Sequence, residues 1–438
     1  MRTVPDLASS SHMSSSQSTT NKSLIVHNQR CRICERKSLL KFLSLGNVPL
    51  VNSFIPKAHL NSKEHRYPLD VYFCTYCNLV QLVDVVPKEA LFKEYIYYSS
   101  MSKTIPLHFV ELARDIEAQL KSQKRPLVVE IGSNDGVLLK NIDQSRIRAV
   151  GVEPAGNIAS LAQAAGIDTI NNFFSKEVAV EIVQSRGQAN VIVGCNVVGH
   201  IDDLRGLLEA TDILLTDDGV FICEFPYLVD LLRNVEYDTI YHEHLSYFAV
   251  RPLVHLFSLF GMQIHDVKRF GVHGGSIRVF ASRKRTTENP VSVSQLIKLE
   301  LEMKLDQFET YSGFSAKVES SKEQLVSLVH RLKDEGNSLA GYGAPAKGNI
   351  LLNYCGIGPE TLDYIVDSTP SKQGLYSPGV RIPVVSPKRF VSDPPNYALM
   401  LAWNYKNEIL DKETNYQMKG GRFIIPVPIP VIHDTSKP

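Results

Sequence analysis

Apolar residues along this chain gather in short unbroken runs bounded by glycine-rich and acid-rich turns, a pattern that predicts buried parallel strands. The first clear run is Leu127-Val-Val-Glu130-Ile-Gly132, followed by Ser133-Asn134-Asp135-Gly136 and an apolar segment, 137–142, that reads as helix. This is strand, glycine turn, helix. About twenty residues on, Ala149-Val-Gly-Val-Glu153-Pro154 reads as a second strand ending in an acid. A third run, 189–194, leads into Cys195-Asn196-Val-Val-Gly199-His200, and a fourth, Gly219-Val-Phe-Ile-Cys-Glu224, follows a helix and the turn 216–219. Strands alternating with helices at this spacing predict a doubly wound sheet whose ligands lie beyond the carboxyl ends of the strands. Gly132, Asp135, Glu153, Asn196 and His200 all fall there. From about residue 290 a Glu/Lys-rich amphipathic stretch predicts helix. Then Ser338-Leu-Ala-Gly-Tyr-Gly343-Ala-Pro-Ala-Lys347-Gly-Asn349 repeats the strand, glycine turn and helix, and 362–367 ends a further strand in Asp367. The pattern therefore predicts an α/β protein with two nucleotide-binding units.

A chain of 438 residues exceeds one ordinary core and suggests about three domains at roughly 150 residues each. The divisions that fit are a disordered tail over 1–27, a domain over 28–92, a second over 93–285 and a third over 286–438. Lys+Arg of 47 against Asp+Glu of 46 leave a formal charge of +1, with no basic block, so neither nucleic acid nor a membrane surface is expected as partner. No apolar run approaches the roughly 20 residues of a membrane span, and no signal core opens the chain, which predicts a soluble cytoplasmic protein. A self-contained three-domain core predicts a monomer. Met1 to Ser23 is Ser/Thr-rich and cannot offset its ordering entropy by burial. Ser9-Ser10-Ser11-His12-Met13 reads as a vector-derived remnant, with Met13 the natural start, or equally as a native polar tail.

The seven cysteines divide into four organised and three lone residues. Cys31-Arg-Ile-Cys34 and Cys74-Thr-Tyr-Cys77 are two C-x-x-C knuckles, the layout of a tetrahedral four-cysteine zinc site. Four thiolates leave no position open for water, so the ion is expected to be structural. The long segment between the knuckles, 35–73, is expected to be folded. Cys195, Cys223 and Cys355 stand in apolar surroundings and read as core residues.

Candidate chemistry lies in the turns. Glu153, at the end of the second strand, stands where a carboxylate accepts hydrogen bonds from both hydroxyls of a ribose. No G-x-G-x-x-G is present, which disfavours NAD. Tyr241-His242-Glu243-His244 packs three ionisable groups and a phenol into four residues, and an imidazole beside a carboxylate suggests proton transfer. Lys347 and the helix start after Gly343 offer positive charge and backbone N–H groups to a diphosphate.

The spacing Glu130-x-Gly132-x-x-x-Gly136 with a downstream acid resembles the first motif of S-adenosylmethionine methyltransferases. Beyond residue 27 the whole chain resembles the sugar C-methyltransferases that act on C3 of nucleotide-linked 4-keto deoxysugars. The matching motifs are the four zinc-domain cysteines, 95–102 with Tyr97 and Tyr98, the 130–136 turn, Asn196-Val-Val-Gly-His200, Glu224-Phe-Pro-Tyr227, Tyr241-His-Glu-His244, His273-Gly-Gly-Ser-Ile-Arg278, 341–349 and Asp367-Ser-Thr-Pro-Ser-Lys372-Gln-Gly374. The resemblance implies an N-terminal zinc-binding domain, a central Rossmann-like S-adenosylmethionine methyltransferase domain and a C-terminal Rossmann-like domain, and the second glycine turn with Lys347 and Asp367 suggests that this last domain holds the nucleotide of the sugar.

By the same resemblance, Tyr241, Glu243 and His244 flank the reacting carbon, His244 is the general base and Glu243 or a neighbour orients it. His200 and either Tyr97 or Tyr98 face the sugar. Glu130, Gly132, Asn134, Asp135, Glu153, Pro154, Asn172, Phe173 and Asn196 hold the methyl donor; Tyr227, Lys347, Asn349, Asp367 and Lys372 hold the sugar nucleotide. Gly199 stands where the family has a larger residue and is expected to loosen the wall near the donor. The implied partner is an NDP-4-keto-6-deoxysugar. The rivals are a methyltransferase acting on oxygen or nitrogen of a nucleotide sugar, and a non-catalytic zinc-containing nucleotide-sugar binding protein.

Overall fold

A computed structural model describes residues 25–93, 104–120, 123–283 and 290–433. The polar tail and the motif carrying Tyr97 and Tyr98 lie outside the described residues. The apolar runs become a seven-stranded sheet in the order Thr169–Ile170, Arg148–Val152, Leu127–Ile131, Ala189–Cys195, Leu215–Pro226, Ser276–Ser282, Gln263–Phe270. The first five strands are parallel, and Ser276–Ser282 runs against both of its neighbours. Strand order reverses between Leu127–Ile131 and Ala189–Cys195, the place where an open α/β sheet leaves a crevice for ligands. The turns after Ile131 and Cys195 both open there.

Alternation decides which face each side chain serves. Val128, Val191, Val193 and Ile222 pack on Leu112 and Ile116 of helix Thr104–Gln119. Val129, Ile131, Ile192 and Phe221 share the opposite core with Ile182 and Leu207, from helices Lys176–Arg186 and Leu204–Leu214. Every residue of Leu127–Ile131 is buried, as an unbroken apolar run demands.

Two local expectations change. The 137–142 helix is only a 3-10 turn, Leu139–Asn141. The Asn141 side-chain amide donates to the Val137 carbonyl at 2.8 Å, and Lys140 reaches the Asp135 carbonyl, so side chains close the turn that a longer helix would have closed with backbone. The 216–219 turn is absorbed into strand Leu215–Pro226. Ala189 faces Leu215 while Val191 faces Val220, so the extra residues bulge out of the ladder.

The segment between the cysteine knuckles is folded, as its length suggested. Leu39–Val48 and Tyr67–Cys74 pair antiparallel, Val80–Leu82 adds a third strand, and Ser246–Tyr247, from the chain beyond strand Leu215–Pro226, supplies a fourth. The C-terminal unit has six strands in the order Val384–Val385, Ile365–Val366, Leu339–Tyr342, Tyr397–Met400, Arg422–Ile425, Val431–Ile432, parallel except for the last. The amphipathic stretch before it forms helices Val291–Glu302 and Phe308–Asp334. Tyr311 of the longer helix stacks on Phe73 at 4.5 Å, and Leu375–Tyr376 pairs with Ile55–Pro56, so the zinc-knuckle unit is seated against the C-terminal unit as well as, through Ser246–Tyr247, the central one. No helix among the described residues is long and apolar enough to cross a membrane.

Candidate active site

The sulfurs of Cys31, Cys34, Cys74 and Cys77 lie within 4.8 Å of one another. Cys31 and Cys77 are 3.3 Å apart, Cys34 and Cys74 3.6 Å. Four Zn–S bonds of about 2.3 Å in a tetrahedron place sulfurs about 3.8 Å apart, so the set fits one zinc ion with no position left for water. Cys223 and Cys355 are buried core residues and Cys195 is partly so.

At the switch point, Gly132 takes φ +64, and a Cβ there would sit 2.9 Å from Val197 Cγ2. Asn134 is also left-handed, and its backbone N–H donates to Glu153 Oε2 at 2.9 Å. Glu153 Oε1 accepts from Ala155 N at 2.9 Å, so this acid clamps the turn to the second strand while each oxygen keeps further acceptor capacity. Glu130 is buried at the strand end, and desolvation pushes its carboxyl well above the usual range, with Glu153 and Asp135 adding to the rise. Glu130 Oε2, Ser133 Oγ and Asp135 Oδ1 are buried without a partner. All three belong to the strand end and turn 130–136, where a polar ligand could pair with them. Asn196 is left-handed and donates its N–H to the Glu224 carbonyl. Asn172 and Phe173 follow strand Thr169–Ile170, and the Phe173 ring lies 4.4 Å from the Lys88 ammonium. Pro154 accepts from the Asn171 amide at 3.1 Å.

Tyr241 and His244 are brought together with His200. Ring centroids are 3.8 Å apart for Tyr241 and His244 and 5.0 Å for His244 and His200, and His200 stacks in turn on Phe92. His244 Nδ1 donates to the Thr239 carbonyl at 2.7 Å, which fixes the proton on Nδ1 and leaves Nε2 a lone pair. Burial, with His200 adding, holds His244 well below the ordinary histidine value, and burial holds His200 at about 4. Both rings are neutral at pH 7. The orienting group is the Thr239 carbonyl; Glu243, the residue expected to share that role, accepts from Asn52 Nδ2 at 2.8 Å. His242 points the same way, donating to the Pro68 carbonyl at 3.1 Å. The tetrapeptide divides: residues 241 and 244 stack with His200, and the middle pair, 242 and 243, docks on the zinc-knuckle unit.

Lys347 is buried at the start of helix Ala346–Cys355, with its ammonium 3.4 Å from the His273 carbonyl and 4.6 Å from the Trp403 ring. Trp403 donates to Asp238 at 2.6 Å, next to the Thr239 that orients His244. Lys347 thus belongs to the same cleft. Asp367 behaves as Glu153 does, accepting from Ala344 N and Thr369 N at 2.6 and 2.7 Å. Lys372 spans back to the Ala344 carbonyl at 2.8 Å, its ammonium 5.3 Å from the Phe54 ring. Tyr227 is fully buried with its hydroxyl on Glu300 at 2.7 Å, and Asn349 donates through Nδ2 to the Val51 carbonyl at 2.7 Å while its Oδ1 is buried without a partner. A Cβ at Gly199 would lie 3.1 Å from the Ser246 carbonyl, a close backbone approach. Thr239, His273, Asp238 and Trp403 carry no spacing signal; only His273, in a left-handed turn before Gly274 and Gly275, had a motif around it.

Family models match three consecutive stretches: a zinc binding domain over 31–92, a methyltransferase domain over 107–267 and a C-methyltransferase C-terminal domain over 271–428. C-methyltransferase NovU from Streptomyces niveus is 38% identical over 401 residues, 91% of this chain and 96% of that protein. Magnesium protoporphyrin IX methyltransferase from Synechocystis PCC 6803, solved with bound SAH, is 13% identical, covering 41% of this chain and 83% of its own, with a TM-score of 0.32. Plantazolicin methyltransferase BpumL with SAH is 10% identical, covering 42% and 86%, with a TM-score of 0.33. The match to NovU along nearly the full length of both chains, with the family models in register over all three units, shows that this protein belongs to the S-adenosylmethionine-dependent C-methyltransferases.

Proposed function

We propose that the protein methylates C3 of a nucleoside-diphosphate 4-keto-6-deoxysugar, with His244 removing the C3 proton. The observation that carries this reading is the His244 tautomer: Nδ1–H is spent on Thr239, which leaves a neutral Nε2 on a ring stacked between Tyr241 and His200. Transfer to carbon needs a carbanion, and a C3 proton beside a C4 ketone leaves one delocalised onto O4. A preset neutral base meets that need without prior loss of a proton. His200, a neutral imidazole in the same ring stack, or a phenol would donate to the forming O4 anion. O- or N-transfer would have no use for such an oxyanion partner.

S-adenosylmethionine supplies an electrophilic sulfonium methyl. The unpaired Glu130, Ser133 and Asp135 atoms support its seat at the switch point, with Gly132 giving backbone clearance and Glu153 the ribose acceptor. Asn134, Pro154, Asn172, Phe173 and Asn196 would complete the rim. Lys347, with Asp367 and Lys372 shaping the neighbouring turn, would take the nucleoside diphosphate of a small-molecule substrate. A site of four thiolates suits the reducing cytoplasm.

The test is incubation with the donor and a panel of nucleotide-linked 4-keto-6-deoxysugars, following product mass and the C3 proton by NMR. A one-methyl gain with loss of the C3 proton is expected. A one-methyl gain with that proton retained overturns the reading.

A further inference from the structure

Arg32 stands inside the first zinc knuckle, between Cys31 and Cys34, yet its guanidinium points away from the sulfurs and into the protein. Its side chain is almost wholly buried. Nε donates to Asp202 Oδ1 at 2.7 Å; Nη1 donates to the Leu245 carbonyl at 3.2 Å, to Gln81 Oε1 at 3.3 Å and to the Leu82 carbonyl. Asp202 is two residues beyond His200, and Leu245 directly follows His244. One fork therefore holds the two segments that carry the paired imidazoles, which are otherwise joined by the backbone bond from Leu245 N to the Gly199 carbonyl at 2.8 Å. Around it, Leu82 N donates to the Leu245 carbonyl at 2.9 Å and Ser246 pairs with Gln81, so the base-bearing peptide forms an edge of the zinc-knuckle sheet.

We propose that Arg32 is a positioning residue for methyl transfer: it fixes the spacing of His200 and His244 from within the zinc knuckle, so that the zinc unit sets the geometry of the base. The inference rests on the catalytic reading of His244. A planar fork with donors in fixed directions is needed to join an acid and two carbonyls at once, and the point charge of lysine does not reproduce it. A displacement of about 1 Å in a reacting group costs on the order of a hundredfold in rate.

The experiment uses the zinc-loaded full chain and three variants, Arg32→Lys, Asp202→Asn and His244→Gln. For each, kcat, KM for the sugar nucleotide, calorimetric donor affinity and zinc content are measured. Asp202→Asn keeps the acceptor oxygen but removes the charge that strengthens this arm, at a partly exposed side chain, so it keeps the question open if Arg32→Lys does not fold. The proposal expects kcat to fall ten- to hundredfold for Arg32→Lys and fivefold or more for Asp202→Asn, with one zinc per chain and with KM and donor affinity within twofold of wild type. It also expects the NMR chemical shifts of the His200 and His244 rings to move. A full kcat in both, with His244→Gln inactive, overturns the role of Arg32 alone. Losses of zinc or donor binding that account for the fall in rate also overturn it. A near-normal His244→Gln overturns the catalytic reading beneath it.

Discussion

His244 owes its chemistry to residues outside its own tetrapeptide. The Thr239 carbonyl chooses the tautomer, and the stacked His200 and the surrounding protein keep the ring neutral. The sequence exposed the histidines but not the carbonyl, since a backbone acceptor has no residue signature. It also led to Glu243 as a partner, because adjacency in sequence says nothing about which way a side chain points; the structure turns residues 242 and 243 to Pro68 and Asn52. His200 gives a pH prediction. Its folded value of about 4 lies below the ordinary 6.5, so between those values the unfolded chain binds more protons and stability falls as pH falls. At ~1.4 kcal/mol per pH unit, His200 costs about 2 kcal/mol of stability at pH 5 relative to neutral pH. Urea unfolding at pH 7 and pH 5 should show a larger acid loss for wild type than for His200→Asn; equal losses would contradict the shift.

At the scale of elements, the strand, glycine turn and acid of the central sheet were legible because each rests on a local rule: an apolar run for burial, a glycine for positive φ, an acid at a strand end. The two cysteine knuckles were legible for the same reason. What local rules missed depends on pairing at a distance. Ser246–Tyr247 looks like loop until its partner Val80–Leu82, more than 160 residues earlier, is known, and the 137–142 helix yields to side-chain bonds from Lys140 and Asn141. The glycine turn itself can be tested. Gly132→Ala meets both a left-handed backbone and Val197, which together should cost about 1–3 kcal/mol in chemical denaturation and weaken donor affinity at least tenfold. Unchanged donor affinity in the variant would remove the turn from the donor site.

At the scale of the molecule, the three units come together around residues 241–244. The zinc-knuckle unit holds that peptide through Asn52, and helix Ala346–Cys355 of the C-terminal unit brings Lys347 beside His273 and Trp403. The fold class of these units was legible in the pattern, whereas their convergence was not, because it rests on contacts such as Asn349 to Val51 and Phe54 beneath Lys372. If Lys347 serves the diphosphate, Lys347→Ala raises KM for the sugar nucleotide at least tenfold and leaves donor affinity within twofold; a KM unchanged from wild type would assign the cation elsewhere.

The central claim is proton removal from C3 by His244, and the most direct measurement is deuterium wash-in at C3 of the 4-keto sugar in heavy water. Wild-type protein and His244→Gln are compared by NMR with S-adenosylhomocysteine present. The account predicts exchange at C3 with the wild type and a rate at least a hundredfold lower with the variant, both binding the sugar nucleotide. Equal exchange in the two proteins would contradict it.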